Sequence, residues 1–182
     1  MVTPGLPDVD FTRFARQRLG GPIDALLDQA RGDTLDLSPR RQLAGEGVTW
    51  APRRRDEPDD MVFATVVSVL RTTIEPTVEA YAERLAALVD PKGGQLLFVE
   101  PTRSSGVGAR IQRLWRPATE VSANLRVHHG FRLALWRAGL TVFRVERHDL
   151  PRRAWPLSSV ALGMARHTPN RADGSPPASM GR

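Results

Sequence analysis

The chain has no cysteine and only one lysine, Lys92, among its 182 residues. Without cysteine it can form neither disulfide bonds nor thiolate metal sites, and it has no cysteine nucleophile. No apolar run approaches the roughly 20 residues that a membrane-spanning helix needs. Residues 1–10 lack the basic start and apolar core of a signal peptide. We therefore expect a cytoplasmic protein with no membrane span.

The net charge of +6 does not come from a basic patch. Arginines are scattered along the chain and stand next to acids as often as next to each other. The one dense cluster, Arg53–Arg55, is followed at once by acids between Asp56 and Asp60, which cancel most of its field. A basic face with interleaved aromatic residues is not visible, so we do not expect a nucleic-acid partner.

Motifs of hydrolytic or metal chemistry are also missing. The sequence has no H-x-H pattern, no carboxylate pair and no Ser-His-Asp arrangement of any specificity. It therefore predicts no metal site and identifies no catalytic residue.

The clearest structural pattern is a strand, helix and strand in the middle of the chain. Met61–Leu70 is a nearly continuous apolar and β-branched run, which is typical of a strand buried on both faces. Pro76–Val89 has apolar residues at helical spacing, and Asp90–Gly94 ends that helix before a second buried strand, Gln95–Glu100. This order predicts two parallel strands joined by a right-handed crossover.

Weaker patterns flank this unit. Periodicity and turn residues predict two short helices within residues 11–30, short strands at Thr34–Leu37 and Val48–Trp50, a helix at Phe131–Ala138, and strands at Leu140–Arg147 and Val160–Ala165. The last two strands are expected to form an antiparallel pair at one edge of the sheet. We divide the chain into N-terminal helices (1–32), an α/β domain (33–167) and a disordered tail (168–182).

Three segments of the α/β domain carry a family resemblance. Asp60–Leu70, an aspartate before an apolar strand, is similar to the fourth strand of class I S-adenosylmethionine (SAM)-dependent methyltransferases. Leu88–Glu100 resembles the family's L-x-P-G-G turn, strand and terminal glutamate, and Arg132–Val145 resembles its L-x-x-A-G-F-x-V segment. Within the family the sequence looks like the type-11 group, which includes ubiquinone/menaquinone-biosynthesis and phospholipid methyltransferases. The resemblance implies a SAM cofactor and a small-molecule substrate.

Upstream of Asp60 the likeness decays. The family's first strand is followed by a G-x-G-x-G loop against SAM, where any Cβ would occupy ligand space. Here Thr34–Leu37 is followed by Ser38–Gln42, which contains two arginines and no glycine. Residues 38–60 are too few for the two helices and two strands that the family places there, since one βα pair needs roughly 20 residues. We predict an α/β fold with a truncated Rossmann-like methyltransferase sheet of five or six strands, mainly parallel with an antiparallel C-terminal edge pair.

The resemblance also assigns candidate site residues. It places four residues at the SAM site: Asp36, Ser38, Thr65 and Val66. Glu100 ends a strand beside the sheet crevice, where it would contact substrate or act as a general base, or would be a solvated strand-end carboxylate. His128 and His129 lie in a region that faces the substrate in this family, or they belong to a surface loop. Arg40 and Arg41 would bind an anion or be solvated loop charges.

Two functions follow from these observations. The first is a methyltransferase-like pseudoenzyme, inactive because the glycine-rich SAM loop is missing. The second is a non-catalytic interaction protein whose missing strands leave the strand at Thr34–Leu37 or Val48–Trp50 at a sheet edge. Apolar neighbours of that edge would be only partly covered: Ile23, Leu26, Leu27 and Trp50. We then expect a homodimer or a dedicated protein partner, unless Ala51–Asp60 folds over the edge and shields it.

Overall fold

The described part of the chain forms one six-stranded sheet with helices on both faces. A computed structural model describes residues 11–52, 61–73, 75–101, 130–149 and 159–168. Its strands are β1 (Thr34–Asp36), β2 (Val48–Trp50), β3 (Thr65–Val69), β4 (Gln95–Pro101), β5 (Leu140–Asp149) and β6 (Ser159–His167). Its helices are α1 (Phe11–Leu27), α2 (Val78–Leu88), α3 (Phe131–Arg137) and a 3-10 helix at Arg71–Thr73.

The sheet has the strand order β2-β1-β3-β4-β6-β5. Strands β1 to β4 run parallel to one another, whereas β6 is antiparallel to β4 and β5 is antiparallel to β6. The predicted α/β class, mainly parallel sheet and antiparallel C-terminal edge pair are thus confirmed. The central unit of β3, α2 and β4 also has the predicted order and direction.

The core lies on both faces of the sheet, because successive side chains of a strand point to opposite sides. On one face, α2 and α3 pack against residues that include Val66, Leu96 and Phe98. On the other face, α1 packs against the alternate residues, among them Val67, Leu97 and Val99. Buried strands with apolar residues on both sides explain why β3 and β4 read as continuous apolar runs.

Strand β3 is shorter than the sequence predicts. It begins at Thr65, and Met61 and Val62 are exposed where we expect a buried strand. Phe63 instead makes an isolated parallel bridge with Val89, and its backbone N–H donates to the carbonyl of Leu88. This segment therefore contacts the end of α2 before the chain enters the sheet, and its apolar residues are not part of strand β3.

The N-terminal segment confirms one expectation and corrects another. Residues 11–27 consist of two helices that meet at a kink at Leu19, as predicted, because the Gly20-Gly21-Pro22 sequence weakens helical structure and Pro22 lacks a backbone N–H. Its apolar face is not partly covered, since Ile23 and its neighbours Leu26 and Leu27 are buried in the core with β3, β4 and β6.

Strand β2 forms one edge of the described sheet and β5 forms the other. Trp50, at the end of β2, is exposed, as predicted. Residues 53–60 and 169–182, which include most of the proposed shield and of the tail, lie outside the described residues. None of the described helices is long and apolar enough to cross a membrane.

The turn between α2 and β4 requires glycine at position 94. A Cβ on Gly94 would lie 2.6 Å from the backbone nitrogen of Asp90 and 2.8 Å from the carbonyl oxygen of Phe63. Because both obstacles are backbone atoms, we expect Gly94→Ala to lower the free energy of unfolding by about 1–3 kcal/mol in urea denaturation. The control Gly20→Ala has open space around it and should not destabilise the protein. A Gly94→Ala protein as stable as the wild type would contradict the described turn.

Candidate functional site at the carboxyl edge of the sheet

The carboxyl ends of β1 to β4 meet at one edge of the sheet, where open α/β folds bind their ligands. Three chain segments leave the sheet there: the loop after β1, the loop after β2 and the 3-10 helix after β3. Glu100 lies near the end of β4 at the same edge. The side chains of this edge therefore decide what the crevice can hold.

The loop after β1 is held by the buried carboxylate of Asp36. Its Oδ1 accepts a hydrogen bond from the backbone N–H of Ser38 at 3.0 Å. Its Oδ2 accepts from the N–H groups of Gln42 at 2.6 Å and Leu43 at 3.2 Å. The loop thus curls around a carboxylate of its own strand, and both oxygens of that carboxylate have partners within the loop.

Ser38 ties the same loop to the neighbouring strands. Its Oγ accepts a hydrogen bond from the backbone N–H of Val69, at the end of β3, at 3.1 Å. Its carbonyl accepts from the indole Nε1–H of Trp50, at the end of β2, at 3.0 Å. Ser38 is fully buried as a result, and it joins the ends of three parallel strands.

The chain leaves β3 through a strained residue. Leu70 has a φ of +56° and is the one non-glycine residue with a positive φ in the described ranges. For a bulky side chain this conformation costs on the order of 1–3 kcal/mol and persists only where the surroundings enforce it. Here the Leu70 N–H donates to the carbonyl of Val99 at 2.7 Å, and its side chain is buried against α1.

The next residue, Arg71, crosses the crevice. Its side chain is buried, with the residue only 3% exposed. Its Nη1 donates to the backbone carbonyls of Leu37, which follows β1, at 3.2 Å, and of Pro52, which follows β2. Its Nε donates to Oε1 of Glu75 at 2.7 Å. A single guanidinium therefore links the ends of β1, β2 and β3 at the place where the fold binds ligands.

The charge of Arg71 is balanced by Glu75, whose Oε1 also accepts a hydrogen bond from Arg84 at 2.8 Å. Burial by itself would raise the pKa of Glu75, but the hydrogen bonds and charges of Arg84 and Arg71 outweigh it and lower that pKa below its ordinary value. Glu75 is therefore ionised at neutral pH. Arg84 also lies over the ring of Tyr81, with 4.8 Å from its Cζ to the ring centroid.

Glu100 is buried, with 1% exposure, and is surrounded by hydrogen-bond donors. Its Oε1 accepts from the hydroxyl of Ser68 at 2.6 Å and from the backbone N–H of Arg71 at 3.2 Å. Its Oε2 accepts from the hydroxyl and the backbone N–H of Thr72, at 2.6 and 3.2 Å. Four donors fill the roughly four acceptor positions of a carboxylate. The expectation of a solvated strand-end carboxylate is therefore wrong.

Burial raises the pKa of Glu100 to about 7, although the four hydrogen bonds act in the opposite direction. Its hydrogen-bond chain continues to α2, because Ser68 Oγ lies 2.7 Å from the hydroxyl of Tyr81. When Ser68 donates to Glu100, Tyr81 must be the donor to Ser68. Burial and the charge of Glu100 raise the pKa of the Tyr81 hydroxyl well above its usual range, so it stays protonated.

The structure brings together only some of the candidate residues. Asp36 and Ser38 lie at the carboxyl edge, and Glu100 is connected to them through Arg71. Thr65 starts β3 at the opposite edge, where its hydroxyl donates to the carbonyl of Arg31 at 2.8 Å. Val66 follows it and is buried in the apolar core. The remaining two candidates, His128 and His129, lie outside the described residues.

Sequence reasoning missed the centre of this site. Arg71, Glu75 and the Ser68–Thr72–Tyr81 group were not among the candidate residues. One signal was available, since Arg71-Thr72 directly follows a buried strand at the edge where ligands bind in such sheets. Their pairing with Glu75 and Glu100 depends on tertiary contacts that the sequence does not display.

Comparisons with known proteins identify the fold. No protein-family model and no curated protein matches the chain. Among solved structures, a SAM-dependent methyltransferase from Mesorhizobium loti matches with a TM-score of 0.54 and 15% identity, over 81% of this chain and 97% of that one. The N-methyltransferase NodS from Bradyrhizobium japonicum, solved with S-adenosyl-L-homocysteine, matches with a TM-score of 0.55 and 14% identity, over 89% and 90%.

A third match is a protein named as a methyltransferase, from a complex with the Haloferax volcanii Trm112 methyltransferase activator. Its TM-score is 0.55 at 12% identity, over 91% of this chain and 100% of that one. Identities this low carry the fold and not the activity. The chain has the fold of class I SAM-dependent methyltransferases.

Proposed function

We propose that this is a non-catalytic protein of the methyltransferase fold, whose ligand crevice is closed by its own side chains and which acts through protein contacts. The observation that carries the proposal is the buried guanidinium of Arg71, hydrogen-bonded to the carbonyls of Leu37 and Pro52. These carbonyls belong to the segments that follow β1 and β2. In a sheet of this kind a ligand binds at the switch point of the strand order, here the ends of β1 and β3, and the Arg71 side chain crosses that point to reach both carbonyls.

SAM does not fit the residues at this edge. The family resemblance places a glycine-rich loop after the first strand, whereas here that loop lacks glycine and is folded back on Asp36. The loop occupies three of the roughly four acceptor positions of the Asp36 carboxylate, so at most one is left for a ligand. Moving Arg71 aside would also leave two carbonyls and part of the Glu75 charge without partners, which costs several kcal/mol.

Glu100 does not suit the role of a general base for the same reason. All of its acceptor positions are taken by Ser68, Arg71 and Thr72, and the carboxylate is buried. A base must reach the proton of a substrate within hydrogen-bond distance. We propose that Glu100 instead holds the ends of β3 and β4 together.

Calorimetric titration with SAM tests the proposal. We expect a dissociation constant weaker than about 100 μM, which corresponds to a binding free energy no better than about −5.5 kcal/mol. A methyltransferase known to bind SAM, titrated in the same buffer, is the control. Micromolar binding of SAM by this chain would overturn the proposal and restore methyl transfer to a small-molecule substrate.

A role in protein contacts is supported by one specific observation among the solved structures. The matched Haloferax volcanii protein is part of a complex with a methyltransferase activator, so this fold can present a surface to another protein. We propose that this chain likewise contacts another protein but does not catalyse methyl transfer. Membership of the type-11 group stays a prediction.

A further inference from the structure

The second edge of the sheet, formed by β5, is long and exposed. Among the strands that the structure describes, β5 pairs with β6 alone, and its residues from Phe143 to Arg147 are all exposed. Two of these residues are apolar, since Phe143 is 51% and Val145 is 38% exposed. By comparison, β2 at the other edge has three residues. A very short edge strand is one way in which proteins prevent pairing, so β5 is the edge that can accept another strand.

The charges along this edge alternate in sign. Arg144 and Glu146 flank Val145 in the strand, so their side chains lie on the same face of the sheet. They form an exposed ion pair at 2.7 Å. Arg147 follows on the other face. Charged residues on an edge block pairing with strands that bring like charges opposite them, and permit pairing with a strand of complementary pattern.

A second copy of β5 has that complementary pattern. Two copies related by a two-fold axis perpendicular to the sheet run antiparallel and keep corresponding faces on the same side. The axis must then pass beside one residue, which meets its own copy. An axis at Arg144, Glu146 or Arg147 would place identical charges opposite each other. An axis at Val145 places Val145 against its copy, and Arg144 of each chain against Glu146 of the other.

We propose that the protein forms a homodimer in which two β5 strands pair antiparallel about an axis at Val145. Four alternating charges, from Arg144 and Glu146 of both copies, then lie together on one face of a continuous twelve-stranded sheet. Val145 and its copy cover each other on the opposite face. The bulge between Val142 and Arg144 bends one end of the strand and limits the length of the pairing. This inference concerns the β5 edge of the sheet and does not depend on whether the crevice binds SAM.

The absence of cysteine allows a direct test by cross-linking. In the full chain, Val145→Cys introduces a single thiol that should meet its own copy, because opposed residues of antiparallel strands have Cα atoms about 4.5–5.5 Å apart. That separation suits a disulfide. We expect mild oxidation at tens of micromolar to give a covalent dimer. The matched variant Thr49→Cys carries its thiol on the exposed β2 edge and should stay monomeric on a non-reducing gel.

Charge reversal tests the register. Arg144→Glu, or Glu146→Arg, places like charges opposite each other twice in every dimer, and should weaken dimerisation about tenfold or more in sedimentation analysis. The double variant Arg144→Glu/Glu146→Arg restores opposite charges and should restore the dimer. Circular dichroism checks that each of these exposed substitutions leaves the fold intact.

Three outcomes would overturn the proposal. One is a wild-type monomer at tens of micromolar together with no cross-link through Val145→Cys. Another is cross-linking through Thr49→Cys instead, which would place the contact on β2. The third is a dimer that responds equally to the single and double charge variants, because the register would then be wrong.

Discussion

Replacing Arg71 with methionine is expected to lower the free energy of unfolding by about 3–5 kcal/mol. Methionine has a similar length but cannot donate a hydrogen bond. The carbonyls of Leu37 and Pro52 would lose a donor, and the buried carboxylate of Glu75 would lose one of its two described arginine partners. Removing one partner from a buried charged group costs more than the pair contributes, because the remaining charge stays buried.

Urea denaturation of the purified protein measures this effect. The control is Arg137→Met, at an exposed arginine near the end of α3, which should change stability by less than about 0.5 kcal/mol. If Arg71→Met does not fold, Arg71→Lys keeps the charge with a different donor geometry and should be intermediate in stability. An Arg71→Met protein as stable as the control would show that Arg71 does not hold the strand ends together.

The second large effect is a loss of stability as the pH rises through the pKa of Glu100. That pKa is raised to about 7 in the folded protein, from an ordinary value of 4.5. Between these values the folded state binds a proton that the unfolded state has released. Stability therefore falls as the pH rises through this window, by on the order of 3 kcal/mol in total. The contribution is fully present below pH 4.5 and is lost above pH 7.

Glu100→Gln removes this titration. Its amide nitrogen would also face a donor, either the N–H of Arg71 or that of Thr72, so the variant should be less stable than the wild type at pH 5. Its deficit should shrink towards pH 8, as the wild type loses its own contribution. The lowered pKa of Glu75 produces a change of opposite sign, but below its ordinary pKa of 4.5 and hence outside this window.

Denaturation curves at several pH values between about 5 and 8 measure the difference in stability between the two proteins. Glu83→Gln, at an exposed position of α2, should keep the pH dependence of the wild type. A constant difference between Glu100→Gln and the wild type across this range would contradict a pKa near 7 for Glu100.

The sequence predicts the parts of the fold that depend on local pattern. Apolar runs gave β3 and β4, helical spacing gave α2, and the Asp90–Gly94 turn between them follows from glycine and proline positions. The short length of residues 38–60 correctly predicted a sheet of five or six strands. Met61 and Val62 misled the strand boundary, because apolar residues that pass the end of a helix look like a strand in one dimension.

The candidate site was harder to predict for a physical reason. Its polar side chains are separated by up to 64 positions, from Asp36 to Glu100, and they meet only when parallel strands align their carboxyl ends. Nothing in the local sequence indicates that Arg71 turns back across β1, since this depends on the strained backbone of Leu70. The absence of glycine from Ser38–Gln42 is evident in the sequence. The position of the Arg71 side chain in the crevice is not.

The most direct test of a closed crevice is a crystal structure of the protein grown with a few millimolar SAM. We expect the guanidinium of Arg71 to occupy the crevice, with hydrogen bonds to the carbonyls of Leu37 and Pro52 and to Glu75, and no cofactor between β1 and β3. Electron density for SAM at the carboxyl ends of β1 and β3, with Arg71 displaced, would contradict the account.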